Sequence, residues 1–105
     1  MAHERRRAPR CPLIASAEVI EVETETRLRA RISDLSLMGC YLDMTNSLPL
    51  GTEVKLCISH NDSTVTALGV VASSQPKMGM GVRFTDVKLD QHAILDKWLT
   101  ESVRD

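Results

Sequence analysis

An all-β fold is expected, a six-stranded antiparallel barrel with one C-terminal helix, and three observations predict it. Short segments alternate apolar and polar residues, turn-forming residues separate them, and the last stretch changes to a period near 3.6. At 105 residues the chain has the size of one domain that can bury a core without metals or disulfides. Hydrophobic residues make up 43% of it and charged residues 26%. No apolar run approaches the length needed to cross a bilayer, so no membrane insertion is expected. The start of the chain is rich in arginine and has neither an apolar stretch nor a small-residue cleavage site. It does not read as a secretory signal, which points to the cytoplasm.

Residues 1–12 show no hydrophobic periodicity and carry four arginines with prolines at positions 9 and 12. They read as a flexible, extended arm, with the barrel and its helix occupying residues 13–105. The segment from Leu13 to Glu23 is rich in β-branched residues and reads as the first strand, although its alternation is imperfect. Residues 27–32 alternate strictly, with Leu28, Ala30 and Ile32 on one face and Arg27, Arg29 and Arg31 on the other. That pattern predicts a half-buried strand with a basic outer face. A turn over Asp34 to Gly39 precedes a short strand from Cys40 to Met44, and Asn46 to Gly51, containing Pro49, forms a loop. Val54, Leu56 and Ile58 alternate with Lys55, Cys57 and Ser59. His60 to Ser63 is a turn by composition, followed by a strand from Thr64 to about Ala72. Met80, Val82 and Phe84 then alternate with Gly79, Gly81, Arg83 and Thr85 to give the sixth strand. In the final segment Leu89, Ala93, Leu95, Trp98, Leu99, Ser102 and Val103 lie near one stripe of a helix. Such a helix would cover one opening of the barrel, and closure would remove exposed strand edges.

Several chemistries find no support. The three cysteines, Cys11, Cys40 and Cys57, lack the paired spacing of a zinc site and read as reduced thiols, the last two packed in strands. His3, His60 and His92 are scattered among arm, turn and helix. There is no phosphate loop, no nucleophile elbow and no recognisable pair of carboxylates, so the chain does not read as an enzyme and no cofactor is expected. Trp98 and Tyr41 are rings that could stack on a base, but Trp98 lies on the helix stripe and is expected in the core. The Met38, Met44, Met78 and Met80 side chains are expected as core or loop filler.

Net charge is −1, yet residues 1–32 hold seven arginines against five glutamates while the rest holds six basic against nine acidic residues. An anion would therefore be met by the N-terminal end. Arg6-Arg7-Ala8-Pro9-Arg10 offers guanidinium forks suited to phosphate oxygens and to the O6/N7 edge of guanine. Pro9 biases Ala8 toward extended geometry, in which Arg6 and Arg10 span roughly 13 Å at most, enough to embrace two phosphates. Asp34-Leu35-Ser36-Leu37-Met38-Gly39 offers a carboxylate to receive the N1 and N2 hydrogens of guanine, and a hydroxyl that donates or accepts. Gly39 permits a positive φ or a close backbone approach. Asp34 and Ser36 share a parity, so a chain extended beyond Ile32 is expected to present both on the face that carries Arg27, Arg29 and Arg31. Either motif alone is also what a solvated basic end or an ordinary Asx turn would produce; together they specify a site for an anionic purine.

With a Gly-Met-Gly-Val-Arg-Phe strand and a terminal helix downstream, the chain resembles the PilZ domain family, bacterial receptors for cyclic di-GMP. The likeness covers nearly the whole length. In that family an RxxxR motif precedes a six-stranded barrel and a D/N-x-S-x-x-G motif lies on the barrel surface. Every defining position is filled here, by Arg6, Arg10, Asp34, Ser36 and Gly39. The resemblance implies that Arg6 and Arg10 engage phosphates and guanine faces, that Asp34, Ser36 and Gly39 hold the other side, and that Arg7 assists. A basic residue before the first signature arginine, here Arg5, accompanies an intercalated pair of ligands in the family. The expected partners are cyclic di-GMP and a downstream protein, with nucleic-acid polymers disfavoured by an aromatic content of 3%. The alternative is an interaction adaptor of the same fold that does not use the nucleotide.

Overall fold

The alternating segments form the wall of a closed barrel, described over residues 15–103 in a computed structural model. Its strands are β1 (Ala15–Glu21), β2 (Arg27–Leu35), β3 (Gly39–Asp43), β4 (Glu53–His60), β5 (Ser63–Gln75) and β6 (Gly79–Asp86), and the helix is α1 (Leu89–Val103). Each strand pairs antiparallel with two neighbours in the order β1-β2-β3-β6-β5-β4, with β4 returning to β1. The ring leaves no strand without a partner on either side, which is how a sheet rich in Val and Ile avoids pairing with other chains. Val19, Leu42, Val54, Leu56, Ile58, Val65 and Met80 fill the interior with no exposed surface.

The expected elements are present, with informative differences at their ends. Between β4 and β5, Asn61 and Asp62 both take positive φ, at 49° and 66°. This is the two-residue geometry that matches strand twist, and Asn and Asp tolerate it better than most residues. β5 runs to Gln75, beyond the expected end near Ala72, because a bulge between Val71 and Ser73 lets pairing with β6 continue. β2 also extends past Ile32, to Leu35, across a bulge between Ile32 and Asp34.

That second bulge corrects the parity expectation. By strict alternation the even positions after Ile32 would point inward with it, not outward with Arg31. Two residues of β2 stand against one step of β3, so Ile32 and Leu35 both face the core while Asp34 faces out opposite Tyr41. An extra residue in one strand re-aims every side chain after it. Asp34 therefore does share the outer wall with the arginines, for a reason that alternation alone does not supply.

β3 begins close against β6. A Cβ added to Gly39 would press into the backbone carbonyl oxygen of Val82 and lie 3.1 Å from Arg83 Cα. Both are main-chain atoms that cannot swing aside. Gly39 is thus required for close approach, and its φ is not in the left-handed region.

The helix lies against β5 near the β4–β5 hairpin. Leu95, Trp98 and Leu99 join the barrel core, and the Trp98 ring meets His60 edge-on with centroids 5.3 Å apart. β6 ends opposite Leu68, so at Thr66 β5 is paired with β4 on one side and has no strand on the other. The Thr66 N–H instead donates to Gln91 Oε1 at 2.7 Å, which satisfies a main-chain donor that water would otherwise have to reach. The buried line runs from Gln91 through Ile94 and Leu95 to Trp98 and Leu99. Leu89 and Ala93, expected on the stripe, are exposed because they lie off this line. Among the described residues no helix is long and apolar enough to cross a membrane, and no group of His, Cys, Asp and Glu could hold a metal ion.

Cys40 faces inward, and burial pushes its thiol up from 9.0 to about 12. Its folded value lies above the unfolded one, so its contribution to stability is complete below pH 9 and declines as pH rises toward 12. In native protein at pH 8, Cys40 should resist alkylation that reaches it after unfolding, as read by mass spectrometry. Trp98→Ala should cost about 3 to 5 kcal/mol in chemical denaturation. Gly39→Ala should lower stability by about 1 to 3 kcal/mol, since the backbones of β3 and β6 must move apart to admit the methyl group.

Candidate ligand-binding groove on the outer barrel wall

The end of β2, the start of β3 and the neighbouring parts of β5 and β6 enclose a groove of about 300 Å³, at the lower end of the range for small-molecule sites. Its lining includes Asp34, Ser36 and Gly39, together with Tyr41, Ser73, Gly81 and Arg83. The register explains the grouping. Asp34, Tyr41, Gly81 and Ser73 are successive partners across β2, β3, β6 and β5, while Gly39 pairs with Arg83 on the adjacent row.

The three motif residues differ in what they offer. Asp34 is half-buried on the outer wall and brings a carboxylate to the groove. Ser36 is buried, with 8% of its surface exposed. Its Oγ accepts from the Met38 N–H at 3.1 Å and donates to the Gly39 carbonyl at 3.4 Å, and its own N–H donates to the same carbonyl at 2.9 Å. The hydroxyl thus stitches the turn together, as serines in such turns do. Gly39 lets the turn settle on β6. The Asp34 carboxylate stands on a frame that Ser36 and Gly39 hold.

Two further lining residues carry chemistry: Tyr41, a ring that the sequence offers for stacking on a base, and Arg83, which the sequence does not single out for the site. The Tyr41 ring extends over β6, where a Cβ on Gly79 would meet its Cε2 at 2.8 Å and one on Gly81 its Cδ1 at 3.8 Å. Its hydroxyl donates to Gln75 Oε1. Arg83 is exposed and makes no ion pair among the described residues. The signal for both was the alternation of β3 and β6, but only the register between these strands shows that Arg83 stands beside Gly39.

The outer arginines of β2 behave otherwise. Arg27 pairs with Glu18 at 3.3 Å and Arg31 with Asp43 at 3.9 Å, both in solvent. Such exposed pairs contribute little to stability and leave these cations partly neutralised. Arg5, Arg6, Arg7 and Arg10, the other expected ligand-binding residues, lie outside the described residues, as does the expected arm as a whole.

Comparison with solved structures finds the same fold in proteins of low identity. The PilZ domain of YcgR from Escherichia coli, solved with c-di-GMP, is 16% identical with a TM-score of 0.77, covering 95% of this chain and 92% of that one. The inhibitor of motility MotI/DgrA from Bacillus subtilis is 17% identical with a TM-score of 0.76, covering 96% of this chain and 52% of that one. MrkH, described as a c-di-GMP-dependent transcription regulatory factor, is 19% identical with a TM-score of 0.73, covering 92% and 50%. The chain therefore spans about half the length of two of these three neighbours. No curated protein matches the sequence. The sequence profile of the PilZ domain matches residues 4–101, and with the closed six-stranded barrel and its C-terminal helix this establishes that the chain belongs to the PilZ domain family.

Proposed function

We propose that this PilZ domain is a receptor for cyclic di-GMP that binds the dinucleotide between the Arg6–Arg10 arm and the Asp34–Gly39 turn. The observation that carries the reading is the outward placement of the Asp34 carboxylate, by the bulge in β2, at a groove shared with Ser36 and Gly39. A carboxylate is acceptor-only, and guanine presents two N–H donors on its N1/N2 edge where adenine presents none in that arrangement. Arg6 and Arg10 supply bidentate donors for the phosphates and for the O6/N7 edge, with Arg7 in support. Arg5 adds a cationic plane that would cover the guanine of a second, intercalated ligand. No group of this site is assigned a catalytic task, and the family is one of binding domains.

Binding by the arm gives the signal a physical form. Residues 1–12 would be drawn onto the outer wall of the barrel by the ligand, and the surface so created would be read by a downstream protein. Amide exchange in residues 3–12 should slow when cyclic di-GMP is added; unchanged exchange would remove this output while leaving binding intact.

Calorimetric titration with cyclic di-GMP, with GTP as the control purine, tests the receptor directly. Micromolar or tighter binding is expected, with Arg10→Ala and Asp34→Ala each losing on the order of 1 to 3 kcal/mol and both retaining the wild-type melting temperature. A stoichiometry of two per chain would support the role given to Arg5, and one would remove it. Absence of heat with any guanine dinucleotide would favour an interaction adaptor of the same fold.

A further inference from the structure

The two rows of the groove floor place side chains and bare backbone at alternate corners. Across the β3–β6 ladder, Tyr41 is paired with Gly81 and Gly39 with Arg83. Tyr41 and Arg83 thus occupy one diagonal of a two-by-two patch, and the two glycines occupy the other. Diagonal neighbours on a sheet face stand about 7 to 8 Å apart, which leaves room for one planar ring between two flat side chains. The Tyr41 ring leans toward Gly79 and Gln75, so its open face looks toward Arg83 across a floor that has no Cβ at Gly39 or Gly81.

A side chain at either glycine would meet a neighbour, fixed main chain at Gly39 and the rotatable Ser73 hydroxyl at Gly81. At Gly39 the β6 backbone excludes a side chain, and at Gly81 a Cβ would lie 2.7 Å from Ser73 Oγ, the atom that accepts the Gly81 N–H at 3.2 Å. The walls differ in stiffness. Tyr41 is anchored at its tip by Gln75 and along its edge by β6, so its ring costs little entropy to use as a platform. Arg83 is exposed and without an ion pair among the described residues, so it keeps a guanidinium plane free to close on a ring from the other side.

We infer that Tyr41 and Arg83 form a slot for one purine base over the Gly39 and Gly81 backbone, with Asp34, the β2 partner of Tyr41, reading the edge of that base. The inference rests on the cyclic di-GMP reading above and adds to it two contact residues that lie outside both signature motifs. Stacking on Tyr41 is indifferent to base identity, whereas Asp34 at the adjoining position selects guanine. The slot therefore supplies affinity and the carboxylate supplies choice.

Tyr41 is the only tyrosine of the chain, so its ring protons can be followed without ambiguity. On titrating the full chain with cyclic di-GMP, those protons should move upfield and saturate with the calorimetric isotherm. Tyr41→Leu and Arg83→Ala should each weaken binding on the order of tenfold, and Tyr41→Phe by less than threefold, because it keeps the ring. Thermal melting of each variant separates lost contact from lost fold, and Arg83→Ala, at an exposed position, serves where Tyr41→Leu fails to fold. Saturable wild-type binding with unmoved tyrosine protons and an unaffected Arg83→Ala protein would overturn the slot and leave the receptor standing. A wild-type chain that does not bind cyclic di-GMP would overturn both.

Discussion

The close approach of β3 to β6 at Gly39 is the constraint from which the rest of the site follows. With the main chain of Val82 and Arg83 against it, no side chain fits, and the turn from Ser36 to Gly39 comes to rest on β6. Closure of the barrel uses that contact, because β3–β6 is one of the two ladders, with β1–β4, at which β1, β2 and β3 join β6, β5 and β4. The same contact sets Arg83 opposite a glycine and Tyr41 opposite another. One packing requirement therefore serves stability, by completing the ring of strands, and recognition, by leaving a floor of bare backbone on the outer wall.

The bulge in β2 is the second device, and it acts on aim rather than on packing. Without it, Asp34 would turn into the core beside Ile32 and Leu42, where a carboxylate would meet no compensating charge, and Leu35 would turn out. With it, Leu35 is buried and Asp34 emerges beside Tyr41. The inward face loses nothing and the outward face gains an acceptor. Bulges that re-aim one side chain at a site while preserving the strand on either side are a recurrent use of this irregularity.

Much of this was legible in the sequence, for reasons that show where legibility ends. Alternation in residues 27–32, 54–59 and 80–85 and the change of period after Leu89 reflect one-sided burial, which any half-buried strand or surface helix must obey. The barrel and the core role of Trp98 followed from that. The Asp34–Gly39 motif was readable because three residue types with separate chemical uses stand at fixed spacing. The bulge was not readable, since Ser33 looks like any exposed strand residue, and counting parity through it gives the wrong face. The pairing of Gly39 with Arg83 and of Tyr41 with Gly81 joins positions some forty residues apart, and no local pattern encodes such a register. Leu89 misled for a related reason: it is apolar and correctly spaced, but the helix docks along the line through Gln91, which Thr66 holds by a main-chain bond.

Mapping the amide chemical shifts of the full chain during titration with cyclic di-GMP locates the ligand without presupposing a contact. Binding at the groove should give saturable shifts concentrated at Asp34 through Tyr41 and at Gly81 through Arg83, with residues 5–10 moving in step. Saturable shifts centred elsewhere, such as the acidic end of the barrel around Glu21, Leu50 and Glu53, with the Asp34 groove unmoved, would contradict it.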